Sequence, residues 1–338
     1  MTVYSIGDQA RAFAMRSAAH RIKTTVDTLT SELSSGEVAD VAVRLGGNTQ
    51  GLSDIEARLA MMSQVKDNAA EAAFMLQGMQ DAMGAIQSGN AALGSELLAF
   101  SPTDTPQSLA VRAGEATHAF EAAVSHLNTA AGGRFLFAGT HSDTAPLIPA
   151  AQIMDALEAA VGGLTSAGDV ATAVAAWFDA ATGGGGFVDI AYNGSIGEQQ
   201  RIPVGERTSI SLETTAISPA LRDELKALAM AALVDRGVLP GDHAERVALL
   251  QKAGQAMIDN AAPLVAEMAR VGIDQQTVER AQSETSAATA ALTISRNQIR
   301  QADPYQTAAA LSEAESQLEM LYEVTARLSR LKLVDFLS

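Results

Sequence analysis

The sequence predicts a mainly α protein whose N- and C-terminal segments form a long antiparallel coiled-coil helix bundle, with a small α+β insert domain. Three observations predict this fold. Apolar residues spaced by three, four and seven run along one helical face at both ends of the chain. Although 47% of the residues are apolar, only 4% are aromatic and alanine dominates, which favours closely packed helices. Strand-like segments are confined to a glycine-rich middle region.

The two terminal stripes contain the candidate subunit-packing residues. They are Ile6, Phe13, Ile22, Val26, Leu29 and Leu33 near the start, and Leu311, Leu318, Leu321, Leu328, Leu331 and Phe336 near the end. A stripe of this width is the seam that a coiled coil buries against another helix. The sequence leaves open whether the partner helices belong to the same chain or to a neighbouring molecule.

Five segments are predicted along the chain, because helical periodicity at both ends surrounds a stretch rich in glycine. They are an N-terminal helix and connector (1–52), long rod helices with a short strand (53–140), an α+β insert domain (141–241), a returning rod helix (242–302) and a C-terminal helix (303–338). The first and last segments are expected to form an inner coiled-coil layer.

The long helices of the rod are predicted from periodicity and breaks. One runs from about Ser53 to Phe100, and a break at residues 101–106 precedes a second helix through Leu127. A short strand is predicted at residues 134–138. After Gly241 the helical pattern returns and continues to the end, with interruptions around Gly272 and at residues 303–304.

The insert is predicted to combine short helices with strands. Residues 187–192 and 199–204 are predicted as strands flanking the turn pair Asn193-Gly194, with a possible third strand at residues 208–212. Helices are predicted at residues 151–161, 170–181 and 219–234. The match of Asn193-Gly194-Ser195 to a glycosylation acceptor is better explained by the turn.

Composition excludes several classes of partner. A formal net charge of −16 leaves no basic surface to neutralise phosphates, so neither nucleic acid nor membrane is an expected partner. The chain has no cysteine, which suits a protein that passes between redox compartments. Residues 1–14 lack a basic segment followed by an apolar one, so any export is expected to use a route without a cleaved signal.

No catalytic, cofactor or metal site is predicted. Glu115 and His118 have the spacing of a carboxylate and imidazole on one helix face, but a di-iron bundle needs a second such pair. His126 lies roughly 12 Å along the helix from His118, too far to share one metal ion. The glycines at 183–186 lack the Lys-Ser/Thr of a phosphate loop and indicate a flexible joint.

Particular sequences at both ends resemble the bacterial flagellin family. At the C-terminal end these are Ile299-Arg-Gln-Ala-Asp303-Pro-Tyr305, the segment 311–318 and the segment 322–337; at the N-terminal end it is Leu29-Thr-Ser-Glu-Leu-Ser-Ser-Gly36. Gly133-Arg-Phe-Leu-Phe-Ala-Gly-Thr140, followed by Asp143-Thr-Ala-Pro146, resembles the hook-associated protein 3 subgroup. After Gly36 the chain lacks the Asn-Ser-Ala and paired Asp that flagellins usually show, which counts against a filament subunit.

The resemblance implies a secreted, non-enzymatic structural subunit at the junction between flagellar hook and filament, without a cofactor. Its implied partners are copies of itself in a ring or layer, hook-associated protein 1 on the hook side, flagellin on the filament side and an export chaperone. Export would use the flagellar type III apparatus. The remaining alternatives are a filament flagellin, a cytoplasmic coiled-coil scaffold and a metal-dependent helical enzyme.

Overall fold

The computed structural model describes residues 6–337, and the side chains of residues 9–328. Helices account for most of this range, so the predicted mainly α fold of long packed helices is confirmed. The elements, in chain order, are α1 (Ile6–Ser35), α2 (Val41–Arg44), α3 (Gln50–Leu98), α4 (Pro106–Leu127), β1 (Ala130–Ala131), β2 (Arg134–Phe135), α5 (Ala150–Val161), α6 (Ala167–Asp179), α7 (Phe187–Ile190), β3 (Gln200–Pro203), β4 (Ser209–Leu212), α8 (Pro219–Asp235), α9 (His243–Arg300) and α10 (Pro304–Leu337).

The chain forms two compact units. The terminal unit comprises residues 1–61 and 287–338, and the central unit comprises residues 62–286. The five-segment division expected from the sequence stays a prediction. Within the central unit, α8 from the predicted insert packs against α4 from the predicted rod.

Helix α8 lies at the centre of the core of the central unit. Every residue from Ala227 to Val234 is buried, so this helix is covered on all sides. It packs against α4, α5 and α6. Four alanines in this stretch allow the neighbouring helices to approach closely, which explains a core with few aromatic residues.

Helices α3 and α9 run antiparallel within the central unit. The Gln80 side chain of α3 donates to the carbonyl of Met268 at 2.6 Å, and two glycines, Gly94 and Gly254, meet where the backbones come closest. A Cβ built on Gly254 would lie 2.5 Å from the Gly94 carbonyl oxygen. These glycines therefore set the spacing of the two helices.

Helix α9 is continuous from His243 to Arg300, so the interruption expected around Gly272 is wrong. Neither Pro263 nor Gly272 breaks it. A glycine inside a helix costs only about 1 kcal/mol relative to alanine, and the buried residues on both sides of Gly272, such as Val271 and Val278, offset that cost. The interruption predicted at residues 303–304 is confirmed by the start of α10.

Two β-hairpins supply the strands of the described region. In the first, β1 pairs with β2 across Gly132 and Gly133, which have φ angles of 59° and 80°. Two successive positive φ angles suit glycine in a tight hairpin turn. The strand predicted at residues 134–138 is thus limited to its first two residues.

In the second hairpin β3 pairs with β4, which confirms the strands predicted at residues 199–204 and 208–212. The turn is closed where Val204 and Gly205 donate to the carbonyl of Thr208, each at 3.0 Å. The predicted hairpin around Asn193-Gly194 is therefore wrong. Strand β3 pairs with β4, which follows it in the chain, and residues 187–190, which were predicted as part of its partner strand, form a helix.

The strand predicted at residues 187–192 is wrong because this segment contains helix α7. The neighbouring residues Phe187 and Val188 are both buried, whereas a half-buried strand would alternate. Phe187 stacks on Phe178 with ring centroids 4.9 Å apart. The Asp189 carboxylate accepts backbone hydrogen bonds from Gly183 and Gly185, which lower its pKa and close the glycine run into a defined loop.

The Asn193-Gly194 segment leads into a close contact with Gly139. The hydroxyl of Ser195, which is 5% exposed, accepts a hydrogen bond from the Thr140 N–H at 2.8 Å. A Cβ on Gly139 would lie 2.3 Å from that hydroxyl. The glycine of the Phe-Ala-Gly-Thr motif therefore leaves room for a side-chain hydroxyl that lies some 55 positions later in the chain, and its φ angle of 65° also favours glycine.

A buried carboxylate links three helices of the central unit. Glu224 of α8 is 4% exposed, and its two oxygens accept from the amides of Asn90 (2.8 Å) and Asn260 (2.7 Å). Burial raises the pKa of Glu224, and the two amide donors oppose that effect in part. Because the folded-state pKa exceeds the unfolded value, ionisation of Glu224 costs stability as the pH rises.

We expect Glu224→Gln to gain stability relative to the unmodified protein as the pH rises from 4 to 7. Below the unfolded-state pKa of the carboxyl both side chains are neutral, so the comparison there reports only packing and hydrogen bonding. At pH 7 the unmodified protein loses about 1.4 kcal/mol of folding free energy for every tenfold difference in the acid dissociation constant of Glu224 between the unfolded and folded states. The glutamine variant has no such loss. Urea unfolding at both pH values measures the difference, and a constant difference would contradict the prediction.

Candidate assembly surface

The terminal unit contains an antiparallel pair of helices, α1 and α10. Two contacts fix the direction: Thr325 reaches the sulfur of Met15 at 4.0 Å, and the N–H of Ala302 donates to the carbonyl of Gly36 at 2.9 Å. Residue numbers thus rise along one helix as they fall along the other. The pairing of the two ends that the sequence predicts occurs within one chain.

The structure places six of the twelve predicted packing residues in a partly covered seam. All six are half-buried: Ile22, Val26, Leu29, Leu311, Leu318 and Leu321. A two-helix pair covers each apolar side chain from one direction only, which accounts for the incomplete burial. The apolar side chains of the seam are therefore only partly covered within one chain.

Among the described side chains of α10, the most deeply buried are two small residues that the sequence prediction missed. Thr307 and Ala314 are each 7% exposed, less than Leu311, Leu318, Leu321 or Leu328. Thr307, Leu311, Ala314 and Leu318 follow one another at steps of four, three and four residues. This is the spacing of the buried positions of a coiled coil, so the two small residues belong to the same seam as the leucines.

Three predicted residues are exposed, which makes them candidates for contact with another subunit. The exposed fractions are 69% for Phe13, 41% for Leu33 and 40% for Leu328. Other large apolar side chains on α10 are also exposed, namely Met320, Tyr322 and Val324. The side chains of Ile6, Leu331 and Phe336 lie outside the described residues.

At one end of the seam, the segment that follows α1 contacts the junction between α9 and α10. Gly36 has a φ angle of 72°, and the N–H of Val38 donates to the carbonyl of Arg300 at 2.8 Å. The Arg300 guanidinium pairs with Glu37 at 2.9 Å and with Glu56 at 3.6 Å. These contacts hold the end of α1 and the start of α10 in register.

The Asp303-Pro304-Tyr305 motif starts α10. The Asp303 carboxylate accepts from the N–H groups of Tyr305 (2.9 Å) and Gln306 (3.2 Å), and proline occupies the first helical position. In the segment that follows α1, Asp40 caps α2 by accepting a hydrogen bond from the N–H of Val43 at 2.9 Å. Short polar side chains thus begin the helices on both sides of this contact.

The arrangement of the histidines does not indicate a metal site. His118 faces Glu121 at 3.6 Å, whereas Glu115 is held by Arg112 at 2.5 Å. Within residues 9–328 no three His, Cys, Asp or Glu side chains cluster as metal ligands. Among the helices of the described range, none is both long and apolar enough to cross a membrane.

Comparison with known proteins agrees with this architecture. Residues 6–142 match the family model of the bacterial flagellin N-terminal helical region. The fold is similar to a solved Vibrio parahaemolyticus structure assigned as a flagellar hook-associated protein, with a TM-score of 0.52 and 14% identity over 73% of this chain and 95% of that chain. Bacillus cereus FlgL gives a TM-score of 0.48 and 15% identity over 71% and 96%. Curated protein sequences give no match.

The family match and the fold show what this chain is similar to. Residues 6–142 match a model of the flagellin N-terminal helical region, and the long helices pack in a mainly α, flagellin-like fold. These findings support a flagellar structural component.

Proposed function

We propose that this protein is a structural subunit of the bacterial flagellum that acts as an adaptor at the junction between hook and filament. The observation that carries the proposal is the α1–α10 pair, which leaves Phe13, Leu33 and Leu328 exposed. Helix α1 lies within the region that matches the flagellin model. Similarity to a structure assigned as a hook-associated protein supports the junction over other positions in the flagellum.

Assembly would proceed by burial of these residues between subunits. Each large apolar side chain contributes about 1.5–3 kcal/mol when it passes from water to a fully buried position. Several such residues on one helix pair provide enough free energy to hold neighbouring subunits in a layer. The proposed packing set is the twelve terminal residues named from the sequence.

The proposed partners follow from the position at the junction. Copies of the chain would pack side by side in a ring or layer, with hook-associated protein 1 on one side and flagellin on the other. An export chaperone would cover the terminal helices before assembly. The protein would reach this position by secretion through the flagellar export apparatus.

Filament flagellin is the second candidate, because the match to residues 6–142 is to a flagellin region. The segment from Gly133 to Thr140 favours the junction role, because its sequence resembles hook-associated protein 3. A cytoplasmic coiled-coil scaffold would show the same seam but would not be secreted.

Deletion of the gene distinguishes these candidates. For a junction adaptor, we expect cells to keep hooks, to lack filaments and to release unassembled flagellin into the medium, because the filament has no platform on which to grow. Electron microscopy of the cells and flagellin immunoblots of the medium measure both effects. Complementation with the intact gene is the control.

Two outcomes would contradict the proposal. Loss of a sole filament subunit would leave hooks with no flagellin in the medium. Unchanged filaments, together with retention of the protein inside the cell, would indicate the cytoplasmic scaffold.

A further inference from the structure

A cavity of about 190 Å³ lies between α3 and α9 in the central unit, and it reaches the buried carboxylate of α8. Asn90 of α3, Glu224 of α8, and Ile258 and Leu264 of α9 are among the residues that line it. Its volume far exceeds the roughly 15 Å³ that a single water needs. Ile258 is 43% exposed, so the cavity has a mouth at the surface.

The polar wall of this cavity lacks a positive charge. Both hydrogen bonds to Glu224 come from neutral amides, those of Asn90 and Asn260, and within the described side chains no cation pairs with Glu224. The Oδ1 atom of Asn260 is buried beside Glu224 without a hydrogen-bond partner. A buried carboxylate without a counter-charge carries a large desolvation cost, which a bound cation would offset.

We propose that this cavity binds a primary ammonium group on a short aliphatic stem, with Glu224 as its counter-ion. An ammonium group has three N–H donors, which match the carboxylate oxygens of Glu224 and the amide side chains of Gln87 and Asn90 in the cavity wall. The stem would lie against Ile258 and Leu264. A divalent metal fits less well, because calcium and magnesium sites take more oxygen ligands and more charge than one carboxylate supplies.

Thermal unfolding of the full-length protein at pH 7 tests the proposal, with n-butylammonium chloride as the probe and sodium chloride at equal ionic strength as the reference. At ten times its dissociation constant the probe should raise the melting temperature by about 3–6 °C. Titration calorimetry should give one site per chain. Each variant is compared with its own ligand-free melting curve.

Three variants localise the effect. Glu224→Gln keeps the side-chain volume and removes the charge, so it should abolish the rise. Ile258→Trp should abolish it by filling the mouth of the cavity while leaving the carboxylate in place. Ile273→Trp is the matched control, because Ile273 is 63% exposed on the same helix and does not line the cavity; it should retain the full rise.

Further probes distinguish the source of the ammonium group. Binding of both n-butylammonium and Nα-acetyl-lysine amide would support a lysine side chain of another protein as the ligand, whereas binding of n-butylammonium alone would support a free amine. An equal rise with sodium chloride or with butyltrimethylammonium, which has no N–H donor, would overturn the proposal. So would a full rise in Glu224→Gln or the absence of any rise in the unmodified protein.

Discussion

Replacing Gly254 by alanine is expected to lower the melting temperature of the central unit by about 5 °C. The added Cβ would lie 2.5 Å from the Gly94 carbonyl oxygen and 2.7 Å from the Leu98 nitrogen. Both atoms belong to the backbone of α3, so relief requires the two helices to separate. Overpacking of this kind costs about 1–3 kcal/mol, and each kcal/mol lowers the melting temperature of a unit of this size by about 2–4 °C.

The sign of this effect is informative because alanine normally favours a helix by about 1 kcal/mol over glycine. Gly272→Ala on the same helix is the matched control. A Cβ at Gly272 would meet only the Gln80 amide nitrogen at 3.6 Å, an ordinary contact. We expect this variant to melt at an equal or higher temperature, as followed by circular dichroism at 222 nm.

If Gly254→Ala were as stable as the Gly272 variant, the close crossing of α3 and α9 would be contradicted. A double replacement at Gly94 and Gly254 by alanine should then lower the melting temperature little as well. If the helices do cross closely, the losses of stability in the two single variants should not add up in the double variant, because both replacements strain the same contact.

The long helices and their limits could be predicted from periodicity, because each has an apolar face repeated over many turns. Helix α3 was expected from Ser53 to Phe100 and runs from Gln50 to Leu98. The start of α10 at Pro304 could be predicted because proline and an aspartate cap act locally. Such signals do not depend on the rest of the fold.

Short segments could not be predicted in the same way. Residues 187–190 form a helix because Phe187 stacks on Phe178 and Asp189 accepts hydrogen bonds from the glycine loop. Neither contact can be seen in the six residues 187–192 alone. Asn193-Gly194 looks like a hairpin turn, yet its position is set by Ser195 packing on Gly139. In both cases a distant contact overrides the local pattern.

The seam was predicted in part for a related reason. Large apolar residues at positions such as Leu318 and Leu321 mark the face of α10 that meets α1, and the structure half-buries both. The closest contacts use Thr307 and Ala314, which an apolar count overlooks because small residues occur on all faces of an alanine-rich helix. Burial of small residues depends on backbone approach, which the sequence alone does not give.

Leu328→Asp is expected to abolish assembly while leaving the protein folded and secreted. Leu328 is 40% exposed in the single chain, so a carboxylate there can remain hydrated before assembly. In a packed layer the same carboxylate would be buried against apolar side chains of neighbouring subunits, at a cost of several kcal/mol. That cost exceeds what a contact between two subunits can absorb.

Motility of a deletion strain that carries the variant gene measures the effect, with the secreted amount determined by immunoblotting of the medium. We expect the variant to reach the medium at the normal level and the cells to swim no better than the deletion strain. Ser316→Asp is the matched control, because it places the same residue at an exposed site on α10, away from the seam. This control should restore swimming.

The comparison of the two aspartate variants separates packing from helix stability. Both variants introduce the same charge, and the change from leucine to aspartate loses only a few tenths of a kcal/mol more helix propensity than the change from serine, so a general weakening of α10 would impair both variants. Loss of swimming in Leu328→Asp alone would assign the defect to the apolar face that the α1–α10 pair leaves uncovered. Full motility with Leu328→Asp would show that this face is not the assembly surface, and the proposed packing of subunits through their terminal helices would then have to be abandoned.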